Sequence, residues 1–238
     1  MLEIKDLSVN YAALRAVNSA NLKIEKGKIL ALEGHHGAGK TSLLKAIIGA
    51  VGSVGEVSVD GLTLMNRNAA SMLALGVVFV PEGRHLFASL SSRDNLKFGA
   101  AVCGVTENFD RVLALFPELI PMLDKPAFAL SGGQAQMLAF ARGLMASPDY
   151  LLLDEPLMGL AASSAKRICS VALKLRAEGI GILITGQHTI SKQNIATDYI
   201  IIENGVIKWR KEDAKYKTIK KTYPWNGSFR FYGRDQLG

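Results

Sequence analysis

Short apolar runs alternate with amphipathic stretches along this chain, the pattern of strands and crossover helices in a parallel sheet. Val77–Val80, Tyr150–Leu153, Ile182–Ile184 and Tyr199–Ile202 are continuous apolar runs, as expected of strands covered on both faces. Lys28–Glu33 is strand-like too, and Met1–Leu7 alternates apolar and polar positions like a half-buried strand. Helical spacing at i, i+3 and i+4 picks out Leu43, Leu44, Ile47 and Ile48, then Met137, Leu138, Ala141, Leu144 and Met145, then Ile168, Val171, Ala172 and Leu175. Asp60-Gly61 and Asn204-Gly205 sit between strand-like runs and predict hairpins, so part of the sheet system is antiparallel. Between residues 90 and 130 no strand signal occurs, and Val112, Leu113, Leu115 and Phe116 predict a small helical insertion. The pattern therefore predicts an α/β fold: a mixed core sheet, an antiparallel β subdomain near the N-terminus, and a helical subdomain over residues 90–146.

Composition narrows the class. With 238 residues, 49% of them hydrophobic and 21% charged, the chain is no disordered segment and can fill one to two domains of ordinary size. No apolar run approaches the ~18 to 20 residues that span a bilayer, and the first residues are unlike a signal peptide. The expectation is an intracellular protein, soluble or peripheral on a membrane. Cys103 and Cys169 have no metal-binding spacing and read as reduced core thiols.

The net charge of +7 invites a nucleic-acid reading until it is divided. Residues 205–238 hold nine Lys and Arg and three acids, or +6, which leaves 19 bases against 18 acids in residues 1–204. That basic tail also carries seven of the seventeen aromatic residues, including both tryptophans.

Gly34-His35-His36-Gly37-Ala38-Gly39-Lys40-Thr41 fits the phosphate-loop pattern G-x-x-x-x-G-K-[ST], between a strand-like run and the helix that Ser42 begins. Its glycines let successive backbone N–H groups wrap an anion, the helix N-terminus adds a favourable dipole, Lys40 reaches terminal phosphates, and Thr41 can ligate magnesium. His35 and His36 are adjacent, which is poor metal spacing, so they read as loop side chains. Asp154 and Glu155 end the Tyr150–Leu153 run, at the carboxyl edge where open α/β sheets bind ligands. Acids there are often merely solvated, but beside a phosphate loop Asp154 is placed to hold Mg²⁺ and Glu155 to polarise water. Leu130-Ser131-Gly132-Gly133-Gln134 opens the next helix and makes a second anion nest. One nucleotide already fills the first loop, so the second nest implies a nucleotide sandwiched between two copies.

Together these motifs resemble the ATP-binding cassette (ABC) ATPase family: Walker A at residues 34–41, the LSGGQ signature at 130–134 and Walker B at 150–155. The likeness covers residues 1–208. Within the family, Val80-Pro81-Glu82-Gly83-Arg84-His85-Leu86-Phe87, followed by Asp94-Asn95-Leu96 and Gly99-Ala100, looks like one of the ATPase subunits of branched-chain amino acid importers and their urea-transport relatives. The resemblance implies a P-loop ABC-ATPase fold and a cytoplasmic subunit, peripheral on the inner face of the cell membrane. It also implies ATP and Mg²⁺ as ligands and a homodimer, or a heterodimer with a homologous ATPase subunit, working with membrane permease subunits. No nucleic acid is expected as a partner.

Residue by residue, the resemblance makes Tyr11 the aromatic that stacks on adenine, with an exposed strand tyrosine as its bland alternative. The nucleotide contacts it implies are Gly34 through Ser42, Glu82, and Ser131, Gly132, Gly133 and Gln134 of the opposing copy. Glu155 is then the catalytic base, assisted by Lys40, and Thr41 with Asp154 holds the metal. Glu82 stands where most members have the Gln of the Q-loop, and reads as a coupling residue. Gln187 aligns with the switch histidine, while His188 stands one place further on and competes for that role.

There are departures from the family pattern. His36 replaces a usual Asn, Gln134-Ala135-Gln136 replaces Glu-Gln-Gln, and Leu157 stands where the D-loop usually has Ser, which bears on coupling between the two ATP sites. Residues 209–238 do not resemble the family's C-terminus. Packing on the domain, contact with an anionic membrane surface and nucleic-acid binding all stay open for them.

Function is expected to be ATP hydrolysis coupled to import of branched-chain amino acids or a related small polar solute. The alternative is an ATP-binding, dimerising regulatory or assembly module with little turnover. A chromosome-maintenance ATPase would place a long coiled coil between phosphate loop and signature, where only 91 positions separate Lys40 from Ser131.

Overall fold

In the apolar runs, successive side chains point to opposite faces of a sheet, and both faces are covered. The computed structural model describes residues 1–101, 109–187 and 190–212, with the backbone alone for residue 192 and for 209–212. Cys103, His188 and most of the basic tail lie outside the described residues.

The chain opens with β1 (Leu2–Tyr11) and β2 (Leu14–Ile24), then β3 (Ile29–Glu33) and α1 (Lys40–Ile47). β4 (Val54–Val59), β5 (Leu62–Thr63), α2 (Ala69–Ala74) and β6 (Val77–Val80) follow. Next come α3 (Ser92–Ala101), α4 (Phe109–Leu115), two 3₁₀ turns, and α5 (Gly132–Leu144). The last third holds β7 (Tyr150–Leu153), α6 (Ala162–Ala177), β8 (Gly181–Gly186), the single turn α7 (Ile190–Gln193), β9 (Asp198–Glu203) and β10 (Val206–Glu212).

Two sheets result. The larger has the order β10-β9-β3-β8-β7-β6, parallel except for the antiparallel edge strand β10; the smaller is β2-β1-β4-β5, antiparallel throughout. The mixed core sheet and the antiparallel sheet of the sequence reading are both present. Ile29, Ala31, Leu151, Leu153, Ile182 and Ile184 face one hydrophobic cluster with α5 and α6. Leu30, Leu32, Tyr150, Leu152 and Leu183 face the other, with α1 and the small sheet. That double coverage is why these strands read as unbroken apolar runs.

Both predicted hairpins form, Asp60-Gly61 joining β4 to β5 and Asn204-Gly205 joining β9 to β10, each with positive φ at both central residues (49° and 88°, 49° and 77°). In β1 the buried positions change parity, from Leu2 and Ile4 to Leu7 and Val9, because a register shift falls between Ile4 and Leu7, around Asp6 at φ 49°. β10 continues through Glu212, with residues 209–212 paired to Ile201, Ile200, Tyr199 and Asp198. Among the described residues, 90–130 contains helices, 3₁₀ turns and one isolated bridge between Ser91 and Pro126. No helix among them is long and apolar enough to cross a membrane.

Candidate functional site

The phosphate loop leaves the carboxyl end of β3, where Gly34 N–H donates to the Gly186 carbonyl of β8 at 3.2 Å. Space decides its glycines: a Cβ on Gly34 would lie 2.4 Å from the Ile202 carbonyl oxygen, and one on Gly39, whose φ is 108°, would lie 2.4 Å from that of Ala16. Gly39 is the left-handed N-cap of α1 and makes no side-chain cap, so the first N–H groups of the helix stay free for an anion. The β9–β10 turn holds the loop from outside. Gly205 N–H donates to the Ala38 carbonyl at 2.9 Å, and the Gly205 carbonyl accepts from Asn18 N–H at 2.8 Å.

Lys40 begins α1 and is 5% exposed. Its Nζ donates to the Gly34 and His35 carbonyls at 2.7 and 2.9 Å and lies 3.0 Å from Glu155 Oε1. Glu155, just past β7, has φ 46°, a strained backbone for a residue with a side chain. Its N–H donates to Thr185 Oγ1 at 2.8 Å, and that hydroxyl donates to Asp154 Oδ1 at 2.9 Å. Thr185 on β8 thus orients both acids from the neighbouring strand. Asp154 is 1% exposed, and its Oδ2 is buried without a hydrogen-bond partner among the described residues. A buried carboxylate oxygen of that kind suits a hard cation with oxygen ligands, a better fit than any neutral donor.

Lys40 and Glu155 border a cavity of about 440 Å³, whereas Gly34, Asp154 and Thr185 are not among its lining residues. It is lined by Gly37, Gly39, Lys40, Thr41 and Ser42, by Glu82 and Glu155, and by Tyr11, 42% exposed, with Leu14, Arg15 and Ala16. His36 also faces it, whereas His35 and Ala38 do not. The cavity offers backbone donors and a buried cation for an anionic chain, an aromatic face at one end, and a carboxylate beside the anion site.

Other expected site residues lie elsewhere. Ser131, Gly132, Gly133 and Gln134 are not among the cavity's lining residues. Ser131 is the N-cap of α5, its Oγ accepting from Gln134 N–H at 3.3 Å, and Gln134 Oε1 accepts from Ser131 N–H at 3.0 Å. Ser131 and Gly132 are exposed, so this second anion nest faces outward from the chain. A Cβ on Gly133 would meet Ser164 Oγ at 2.2 Å, so a larger residue there would turn that hydroxyl aside. Gln187 follows β8, exposed and away from the cavity lining. Leu157 is 7% exposed and packs in the cluster beneath α5 and α6, while Met158 is exposed. The apolar residue at 157 thus has a packing reason.

Sequence reasoning passed over Thr185, Asn204 and Gly205 as parts of this site. Thr185 ends an apolar β-branched run and reads as a strand former; only the pairing of β7 with β8 brings its hydroxyl to Asp154.

A second cavity of about 320 Å³ opens between the core sheet and the helical region, lined among others by Phe79, Pro81, His85, Phe87, Phe98 and Arg142. Phe87 and Phe98 pack with centroids 4.6 Å apart, both partly exposed.

The family described as ABC transporter matches residues 17–158. The chain is 33% identical over 225 residues to the high-affinity branched-chain amino acid transport ATP-binding protein BraG of Pseudomonas aeruginosa, covering 93% of this chain and 97% of that one. A nucleotide-free ATP-binding cassette from an ABC transporter superposes with a TM-score of 0.84 at 22% identity, over 94% of this chain and 96% of the other. The dimeric structure of a bacterial ABC transporter cassette superposes at 0.79, with 22% identity and coverage of 89% and 98%.

Proposed function

Because this chain belongs to the ABC transporter family, as one of its ATP-binding and ATP-hydrolysing subunits, we propose that it powers import of branched-chain amino acids or a related small polar solute from the inner face of the membrane. The observation that carries the chemistry is one buried constellation: Lys40 against Glu155, and beside it Asp154 with an oxygen that none of the described residues hydrogen-bonds.

In this reading the phosphates of ATP lie along the N–H groups that open α1, at Lys40, Thr41 and Ser42, and draw the Lys40 ammonium onto them. Tyr11 offers its ring to adenine. Asp154 Oδ2 and the Thr41 hydroxyl would hold Mg²⁺, which neutralises charge on the phosphates when bound. Glu155, relieved of Lys40, accepts a proton from the water that attacks the terminal phosphorus. Thr185 holds the Glu155 backbone and the Asp154 carboxylate in place. Phosphoryl transfer of this kind is mostly positioning and charge stabilisation, so the cage must be complete before it runs.

Completion requires a second chain. The outward nest at Ser131, Gly132 and Gly133 lies off its own cavity, which supports a sandwich of two copies, or of this chain with a homologous subunit, each signature closing on the other's ATP. Dimerisation of the similar cassette supports the same arrangement. The groove lined by Phe87 and Phe98, next to Glu82, is where a permease subunit would dock and feel closure and reopening. Gln187 is the candidate for the switch position. The near full-length likeness to BraG supports the cargo class.

The test is transport. Reconstituted with its permease subunits, the chain should drive ATP-dependent uptake of labelled leucine, and Glu155→Gln should sharply reduce both uptake and hydrolysis. Equal, negligible hydrolysis by wild type and Glu155→Gln would instead favour an ATP-binding assembly module. Hydrolysis without leucine uptake would move the cargo to another small solute.

A further inference from the structure

The segment from Glu82 to Phe87 touches three parts of the molecule. Glu82 lines the nucleotide cavity and Phe87 lines the apolar groove. Between them Arg84 lies against the signature turn: its Nε donates to Gln136 Oε1 at 3.4 Å, and a methyl group placed on Gly132 would meet its Nη2 at 3.3 Å. Gln136 is itself buried on α5, the helix that the signature opens.

The backbone of the segment is held by the same helix. Arg142, near the end of α5, donates from Nη2 to the Arg84 carbonyl at 3.2 Å and from Nη1 to the His85 carbonyl at 2.8 Å. Asn95 of α3, fully buried, accepts from Phe87 N–H at 2.9 Å and returns a bond to the Phe87 carbonyl at 3.1 Å. These clamps sustain an unfavourable conformation: Gly83, Arg84 and His85 have φ of 83°, 67° and 45° in succession. Two adjacent left-handed residues with side chains persist only where the surroundings over-determine them, which is the signature of a functional constraint.

We propose that Arg84 is a positioning residue that links the two nucleotide sites of the sandwich. Through Gln136 and Gly132 it holds the signature turn, which serves the partner's ATP, in register with Glu82, which serves its own. The inference rests on the sandwich reading given above. It also accounts for a departure in the sequence. The D-loop, where the family usually carries a serine between the two sites, here begins with Leu157, which is buried in the core. The polar link is then made on the Glu82 side. A guanidinium suits the task because its planar fork can bond an amide oxygen while a second nitrogen lies against the turn, which an ammonium cannot reproduce.

The test uses the full chain in a Glu155→Gln background, reading single-chain ATP affinity by fluorescent-nucleotide titration and ATP-dependent association by sedimentation, with a second copy or with its homologous subunit. Arg84→Ala should keep single-chain affinity within about two-fold and weaken association about ten-fold; Gln136→Ala should do the same, and the double variant should lose no more than either alone, the non-additivity of residues in contact. Unchanged association, an equal loss of single-chain affinity, or additive losses would each overturn the role. Should Arg84→Ala not fold, Arg84→Lys closes the same cycle with Gln136→Ala. Failure of the Glu155→Gln chain itself to associate, with Arg84 intact, would refute the sandwich and the link with it, and is told apart by that control.

Discussion

Lys40 Nζ and Glu155 Oε1 are 3.0 Å apart, in a pair only 6% and 7% exposed. The cation of the phosphate loop and the carboxylate at the end of β7 thus neutralise each other inside the site, and an arriving phosphate competes with the carboxylate for the ammonium. Replacing Glu155 by Gln removes the proposed proton acceptor and leaves the donors of the loop in place. Steady-state hydrolysis should fall by about 10² to 10⁴, the range for loss of a general base. Calorimetric ATP affinity should hold or rise, since one negative charge beside the phosphates is gone.

Asp154 Oδ2 has no hydrogen-bond partner among the described residues, and on the proposed reading it is a ligand of the metal. Asp154→Asn should narrow the difference in ATP affinity measured with magnesium and with a chelator to less than about three-fold, because a neutral amide is a poor ligand for a hard cation. Affinity in chelator should be little affected.

Thr185→Val keeps the shape of the side chain and removes both the donor to Asp154 and the acceptor for Glu155 N–H. It should lower kcat by about ten- to a hundred-fold, as expected for 1–3 kcal/mol of lost orientation and an unsatisfied buried N–H. KM for ATP should change little, which separates an orienting role from a binding one.

Leu157→Ser would restore the residue usual in the family, yet here it places a hydroxyl in the hydrophobic core. The cost should be about 2–4 kcal/mol, by the scale of large-to-small core substitutions. Thermal denaturation should show a midpoint lower by roughly 4–16 °C, given about 2–4 °C per kcal/mol for a domain of this size.

Burial pushes the Cys169 thiol up to about 11. It therefore stays protonated throughout the neutral range, and only the thiolate is reactive. In a Cys103→Ser chain, Cys169 should resist iodoacetamide at pH 8 until the protein is unfolded, with mass spectrometry recording the adduct.

The apolar runs at β6, β7, β8 and β9 were legible because these strands are covered on both faces, and the two hairpins because Asp-Gly and Asn-Gly favour the positive φ that such turns need. The phosphate loop and the acids after β7 were legible because spacing within one segment fixes their chemistry. β2 and α2 were not: β2 carries polar residues on its outer face and bulges at Ser19, φ 47°, and α2 is a short helix with one buried side chain, Met72. The contacts of Thr185 and Arg84 escaped for another reason. Each joins segments 31 to 52 positions apart, Thr185 to Asp154 and Arg84 to Gln136, and no local pattern encodes that meeting.

The turn at Asn204-Gly205 lies at the nucleotide end of the core sheet, and β10 runs away from it. Over its seven residues an extended strand travels about 20 Å, so Glu212 reaches the opposite end of the sheet. A fluorophore or affinity handle attached at position 212 would therefore stand about 20 Å from the turn that holds the phosphate loop. Strand β10 makes that position a natural anchorage for immobilising the subunit in binding assays, with the phosphate loop facing away from the support.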